Sequence, residues 1–281
     1  TRAAYCKHLA SFRDQDHLLT IEPNDIRQLE QVFEYAENNQ LFIESMFIEP
    51  VQGEGSPGMA VTPEFYARAR ELTRAHGALL LVDSIQAGLR AHGVLSIYDY
   101  PGFEHLDPPD METYSKALNG GQYPLSVLAL TDEAAALYRA GVYGNTMTTN
   151  PRALDVGTAT LAGITPEMRQ NVEDRGREFF DKLVALQEEL GGMITKVQGT
   201  GLLLSAELDP TRYKSYGANS TEEYVRTRGI NVIHGGSNAL RYTPCFDITS
   251  EEVDLIIHVT RDALVNGPVK QQEPAASSEA A

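Results

Sequence analysis

At 281 residues and 42% apolar content, the chain is long enough for one large domain or two of ordinary size around a real core. Its 39 acidic against 23 basic side chains give a formal net charge of −16, which repels nucleic acid and anionic lipid and leaves no basic stripe for a phosphate backbone. Cys6 and Cys245 are its only cysteines, outside any CxxC or Cys/His spacing, so neither a disulfide framework nor a metal site is signalled.

The chain opens at Thr1 in polar sequence with no signal peptide, as expected of a processed product or a piece of a longer protein. A helix is predicted over Asp25 to Asn38, where Ile26, Leu29, Val32, Phe33 and Ala36 recur at helical spacing after Pro23-Asn24. The apolar run from Leu41 to Ile48 reads as a buried strand that ends at Glu49-Pro50, because proline cannot donate to a ladder. Beyond a glycine-rich loop, Thr62 as N-cap, Pro63 in the first position and Gly77 after His76 bracket a second helix. Ala78 to Val82 then reads as a strand buried on both faces, which delivers Asp83 to its C-terminal end. Its five apolar residues fall far short of the roughly 20 that a bilayer span needs, so a cytoplasmic protein is expected.

Strand, helix, strand in that order implies a right-handed crossover, and it brings Glu49 and Asp83 to the side where such sheets bind ligands. Pro124 to Leu130 reads as another strand, Asp132 to Arg139 as a helix, and Gly144 to Pro151 as a polar loop. Thr165-Pro166-Glu167 starts a long helix that reaches Gly191-Gly192, with Gly176 as a candidate interruption. Leu202 to Leu208 and Ile230 to Ile233 read as strands, and Ser250 to Leu264 as the last helix. The expected layout is α/β, with residues 1–161 in a large domain, 162–270 in a smaller α+β domain, and 271–281 as a disordered polar tail.

Five features could carry chemistry. Asp83, at a strand end, could stay ionised beside a protonated heterocycle, or simply start a turn. Lys116, next to Gly120-Gly121, could be a nucleophile if desolvation or a nearby cation lowered its pKa, or an ordinary solvated cation. Glu49 and Glu54 flank a turn at the mouth of the same sheet. Thr146 and Thr149 offer hydroxyls to a phosphate, and Arg241 offers a fork to a carboxylate, although turn threonines and a surface ion pair would look the same.

Order and spacing narrow the choice. Glu49-Pro50-x-Gln52-Gly53-Glu54, Asp83-x-Ile85-Gln86-x-Gly88, Ser115-Lys116-Ala117-x-x-Gly120-Gly121-x-Tyr123-Pro124, and Gly144-x-Thr146 with Asn150-Pro151 together resemble the class III aminotransferases over Ile21 to Leu264. These are fold type I enzymes of pyridoxal phosphate (PLP), the ornithine and acetylornithine transaminases among them. The resemblance implies a large mixed-sheet domain and a smaller C-terminal α+β domain. It implies Lys116 as the Schiff-base residue and proton shuttle, Asp83 as partner of the ring nitrogen, Ile85 against the ring face and Gln86 on the ring hydroxyl.

Thr146 would bind the phosphate held by the neighbouring subunit, which makes a homodimer the working unit. Glu54 and Arg241 match a switchable salt bridge that opens for the α-carboxylate of 2-oxoglutarate, so an amine or ω-amino acid and a 2-oxo acid are the implied substrates. Glu49 is implied only as a structural carboxylate near the site. The chain departs from the family at Ser84, where an acidic residue is usual, and at Thr148-Thr149, where glycines are common. The front segment of full-length members, with a phosphate-binding turn and a ring-stacking aromatic, is not found ahead of Lys116. A C-terminal piece with weak or no activity alone is therefore expected. The alternatives at this point are a PLP-dependent aminomutase or decarboxylase of the same fold, or a non-catalytic remnant that serves as a dimerisation module.

Overall fold

A computed structural model describes residues 18–141, 144, 146 and 148–270. The predicted tail at 271–281, Thr1 and Cys6 lie outside the described residues. Helix α1 (Ile26–Asn38) starts where the Asp25 side chain accepts from the Gln28 amide at 2.9 Å, and it buries Leu29, Phe33 and Ala36. Strand β1 (Ser45–Ile48) is shorter than the predicted 41–48. Its partner begins only at Leu79, opposite Ser45, so Leu41 to Ile43 have no strand to pair with. Helix α2 (Pro63–His76) matches its bracketing signals: Thr62 accepts from the Phe65 amide, and Gly77 takes a left-handed φ of 69°.

Strand β2 (Leu79–Asp83) corrects the expectation of burial on both faces. Leu80 and Val82 are fully buried in one apolar cluster with Phe33, Phe65 and Ala69 of α1 and α2, whereas Leu79 and Leu81 are only half-buried on the other face. A short helix α3 (Gly88–His92) follows, then β3 (Met111–Tyr114), a four-residue mix of polar and apolar residues too short and irregular to mark a strand in the sequence. The loop after β3 carries Lys116, and β4 (Val127–Leu130) returns antiparallel with all four residues exposed. Helix α4 spans only Asp132–Ala135 rather than reaching Arg139. The sheet order is β1-β2-β3-β4, with the first three strands parallel.

Helix α5 (Pro151–Gly163) was not foreseen; Asn150 caps it and Pro151 opens it. The expected boundary at 161/162 falls in its last turn. Helix α6 (Pro166–Leu190) is unbroken, because Gly176 serves packing rather than interruption. A Cβ there would stand 2.5 Å from the Gly201 carbonyl oxygen. The second sheet is antiparallel, in the order β5-β6-β8-β7, from β5 (Ile194–Thr200), β6 (Leu203–Leu208), β7 (Ile233–Gly235) and β8 (Ala239–Tyr242). Helices α7 (Thr221–Arg226) and α8 (Ser250–Asn266) complete this part. Its own core gathers Phe179, Leu183, Leu204, Leu240 and Val253.

The β5–β6 turn docks on α3. Gly201 has φ 54°, its Cβ would lie 1.9 Å from the Ala91 carbonyl oxygen, and the next amide, Leu202, donates to Arg90 at 3.0 Å. Only glycine fits that approach. This contact sets the second sheet over the C-terminal ends of β1 and β2, and it carries Arg241 on β8 to the loop after β1.

Candidate active site

The C-terminal ends of β1, β2 and β3 deliver Glu49, Asp83 and Lys116 to one side of the sheet. Asp83 closes β2, and its Oδ1 accepts from the Ile85 amide at 3.1 Å and from Thr113 Oγ1 at 3.2 Å. Its Oδ2 takes no hydrogen bond among the described residues. Thr113 was missed by sequence reasoning because β3 was. Its register opposite Asp83 would have flagged it.

Above this, the loop after β1 meets β8. Arg241 is buried, and its Nη1 donates to Glu54 Oε1 at 2.7 Å, to Gln86 Oε1 at 2.9 Å and to the Gly53 carbonyl. Gln86 Nε2 in turn donates to Glu54 Oε1 at 2.8 Å. Gly53 is required here, because a Cβ would fall 2.3 Å from Gln86 Cδ. The buried Nε of Arg241 has no partner among the described residues.

Lys116 opens the loop after β3 with φ at 48°, a left-handed conformation that side chains other than glycine rarely adopt. Partial burial lowers its pKa from the ordinary lysine value; Arg241 pushes the same way, against Glu54, Asp83 and Glu49. Burial tends to raise Glu54, but hydrogen bonds from Arg241 and Gln86 hold it below the usual carboxylate range. Glu49 moves the other way, raised by burial and by the charges of Asp83 and Glu54. Five charged groups on four elements thus sense one another.

Ile85 is half-buried next to Asp83. Thr146 is not brought into this group: it lies in an exposed turn outside the hydrogen bonds that join Glu54, Gln86 and Arg241. Gln86, the residue implied for the ring hydroxyl, has both ends of its amide engaged with Glu54 and Arg241. Among the described residues, no helix is long and apolar enough to cross a membrane.

Because the folded pKa of Glu49 is raised, the native state binds more protons than the unfolded one between 4.5 and that value. Stability from this group is therefore present below 4.5 and lost as pH rises through the folded value. Glu49→Gln is expected to raise Tm by about 2 °C near pH 7 and to leave it unchanged near pH 4, checked by calorimetry.

A lysine, a strand-end carboxylate and an arginine paired to a glutamate thus meet at the C-terminal ends of three parallel strands. Residues 7–264 match the family model "Aminotransferase class-III", and the chain belongs to that family. Its fold is that of the type I PLP-dependent transferases. A curated succinylornithine transaminase of Citrobacter koseri is 32% identical over 210 residues, 74% of this chain and 50% of that protein. The chain thus spans about half the length of that relative. Among solved structures, the ornithine aminotransferase of Toxoplasma gondii ME49 matches at TM-score 0.73 and 28% identity, covering 87% of this chain and 55% of the other. The N-acetylornithine aminotransferase of Stenotrophomonas maltophilia K279a matches at TM-score 0.69 and 30% identity, covering 87% and 61%.

Proposed function

We propose that this chain carries the lysine side of a PLP-dependent transaminase site, acting on an amine or ω-amino acid with glutamate and 2-oxoglutarate as the other couple. The observation that carries the reading is the convergence of Lys116, Asp83 and the Glu54–Arg241 pair at the same strand ends. The residues fit the ring end of PLP. Lys116 would hold it covalently, the free Oδ2 of Asp83 would face its ring nitrogen, and Ile85 would cover one ring face.

When bound, PLP supplies an electron sink for the carbanion at substrate Cα. Lys116, whose hold on a proton is weakened by burial and by Arg241, accepts and returns the proton at that carbon. Arg241 receives the substrate α-carboxylate once Glu54 swings away, and with Glu54 in place it leaves room for an amine. Thr146 serves the phosphate of a neighbouring copy in a homodimer, for which its exposure outside the Asp83 cluster is the support. Exposed Leu137, Tyr138, Leu154 and Leu161 offer that dimer an apolar face. The reading also carries cytoplasmic residence, supported by composition. Family membership favours transamination over the aminomutase, decarboxylase and remnant alternatives.

We infer further that this chain alone turns over little. Among the described residues the sheet is open along both β1 and β4, and an apolar groove of about 730 Å³ runs beside β1, lined by Leu19, Phe33, Phe42, Met46 and Phe65. Those surfaces fit the rest of the family fold.

The test is reconstitution of the longest native product of the gene with PLP. A visible absorbance band and amino transfer from glutamate are expected; a protein that never forms the band would refute the reading. In that protein Arg241→Ala is expected to raise KM for 2-oxoglutarate about 10–100-fold while the amine half-reaction keeps its rate, measured by single-turnover absorbance.

A further inference from the structure

One buried carboxylate stands outside the chemistry proposed above. Glu112 lies within β3 at 4% exposure, and its oxygens are filled by donors from three directions. Oε1 accepts from Ser84 Oγ at 2.5 Å and from the Ile97 amide at 3.0 Å, and Oε2 accepts from Ser96 Oγ at 2.7 Å. Tyr114, two residues on and therefore on the same face of the strand, is buried as well. A carboxylate kept this deep needs such a complement of donors, and a loss of any one is felt by the rest.

The consequence lies next door. Ser84 is the residue between Asp83 and Ile85, just where the β2–β3 ladder stops: Asp83 pairs with Thr113, and no later pair exists. The Ser84 amide donates to the Thr113 carbonyl at 3.0 Å, while its side chain turns to Glu112 on the opposite face from Asp83. Asp83 is held on its own face by the Ile85 amide and Thr113 Oγ1. The three-residue turn is therefore pinned from both sides of the sheet. The carboxylate that meets Ser84 comes from the neighbouring strand.

We propose that Glu112, acting through Ser84, is a positioning residue that fixes the orientation of the Asp83 carboxylate. The inference deepens the proposed transaminase site and rests on Asp83 as the ring-nitrogen partner, but the geometry can be tested without cofactor. In the PLP-free chain, hydrogen exchange at the Ile85 amide is expected to speed up at least about tenfold in Ser84→Ala and in Glu112→Ala, with amides of α6 and β6 unchanged. Glu112→Gln keeps an oxygen for Ser84 and is expected to restore most of the protection. Ser84→Ala serves should Glu112→Ala fail to fold, since it removes only a small hydroxyl.

In the longest native product loaded with PLP, Ser84→Ala is expected to move the pH midpoint of the visible band by about half a unit or more, with Glu112→Gln close to wild type. Unchanged protection at Ile85, or protection lost uniformly through the chain, overturns the inference. Local loss at Ile85 supports it even where the wild type forms no visible band, a result that counts against the cofactor reading alone.

Discussion

In the longest native product of the gene, Lys116→Ala is expected to abolish the visible absorbance of lysine-linked PLP and to slow amino transfer by at least about 10³-fold. Two properties single out this lysine. Burial and Arg241 together weaken its hold on a proton, so a larger share of it is the neutral amine that can act as nucleophile and base. Its backbone is also held at φ 48°, a conformation with a cost of order 1–3 kcal/mol for a residue with a Cβ.

Glycine would hold that conformation without the penalty. Lys116→Gly should therefore be more stable than Lys116→Ala by about 1 kcal/mol in urea unfolding of the PLP-free chain, while both are equally inactive. Equal stability of the two variants would show that the strain is released elsewhere in the turn. A visible band that survives in either would move the Schiff base to another lysine.

How far the sequence reached depended on whether its signals were local. Helix α2 was legible to the residue, because Thr62, Pro63 and Gly77 act within one turn of the helix ends they define. Strand β3 was not, since Met111-Glu112-Thr113-Tyr114 mixes polar and apolar residues; its polar members are satisfied by partners on β2 and near residue 96, far away in the chain. The same holds for the site. Glu54 and Arg241 lie 187 residues apart and their pairing was expected only through family resemblance, yet the fold joins them at 2.7 Å. Glu112 carried no signal at all, because nothing local marks a carboxylate whose donors come from Ser84, Ser96 and Ile97. The full burial expected of β2 failed for a different reason: five apolar residues in a row report hydrophobicity but not which layers lie beside them.

Asp110→Ala is expected to destabilise the chain by about 3–5 kcal/mol. Arg70 on α2 reaches Asp110, at the start of β3, with both ends of its fork: Nη1 to Oδ2 at 2.6 Å and Nη2 to Oδ1 at 2.8 Å. The arginine side chain is 6% exposed and the aspartate 15%, so removal of the carboxylate strands a buried guanidinium whose Nε already lacks a partner among the described residues. Asp110 Oδ2 also accepts from the Leu80 amide at 2.7 Å, so the loss extends into β2.

A double variant, Arg70→Met with Asp110→Leu, should recover much of the deficit, because only the Leu80 amide would then lack its acceptor, at about 1–3 kcal/mol. The pH dependence has a definite sign. Burial tends to raise the pKa of Asp110, but Arg70 and the Leu80 amide hold it below its ordinary 3.8, so its stabilisation is complete above 3.8 and fades as pH falls through the folded value. The gap in Tm between wild type and Asp110→Ala should accordingly be widest near neutrality and narrow in acid. Because Asp110 lies at the N-terminal end of β3 and Lys116 follows its C-terminal end, the variant should lose stability while the folded fraction keeps the visible band of bound PLP unshifted. A shifted band would mean that the sheet transmits strain along β3 into the site.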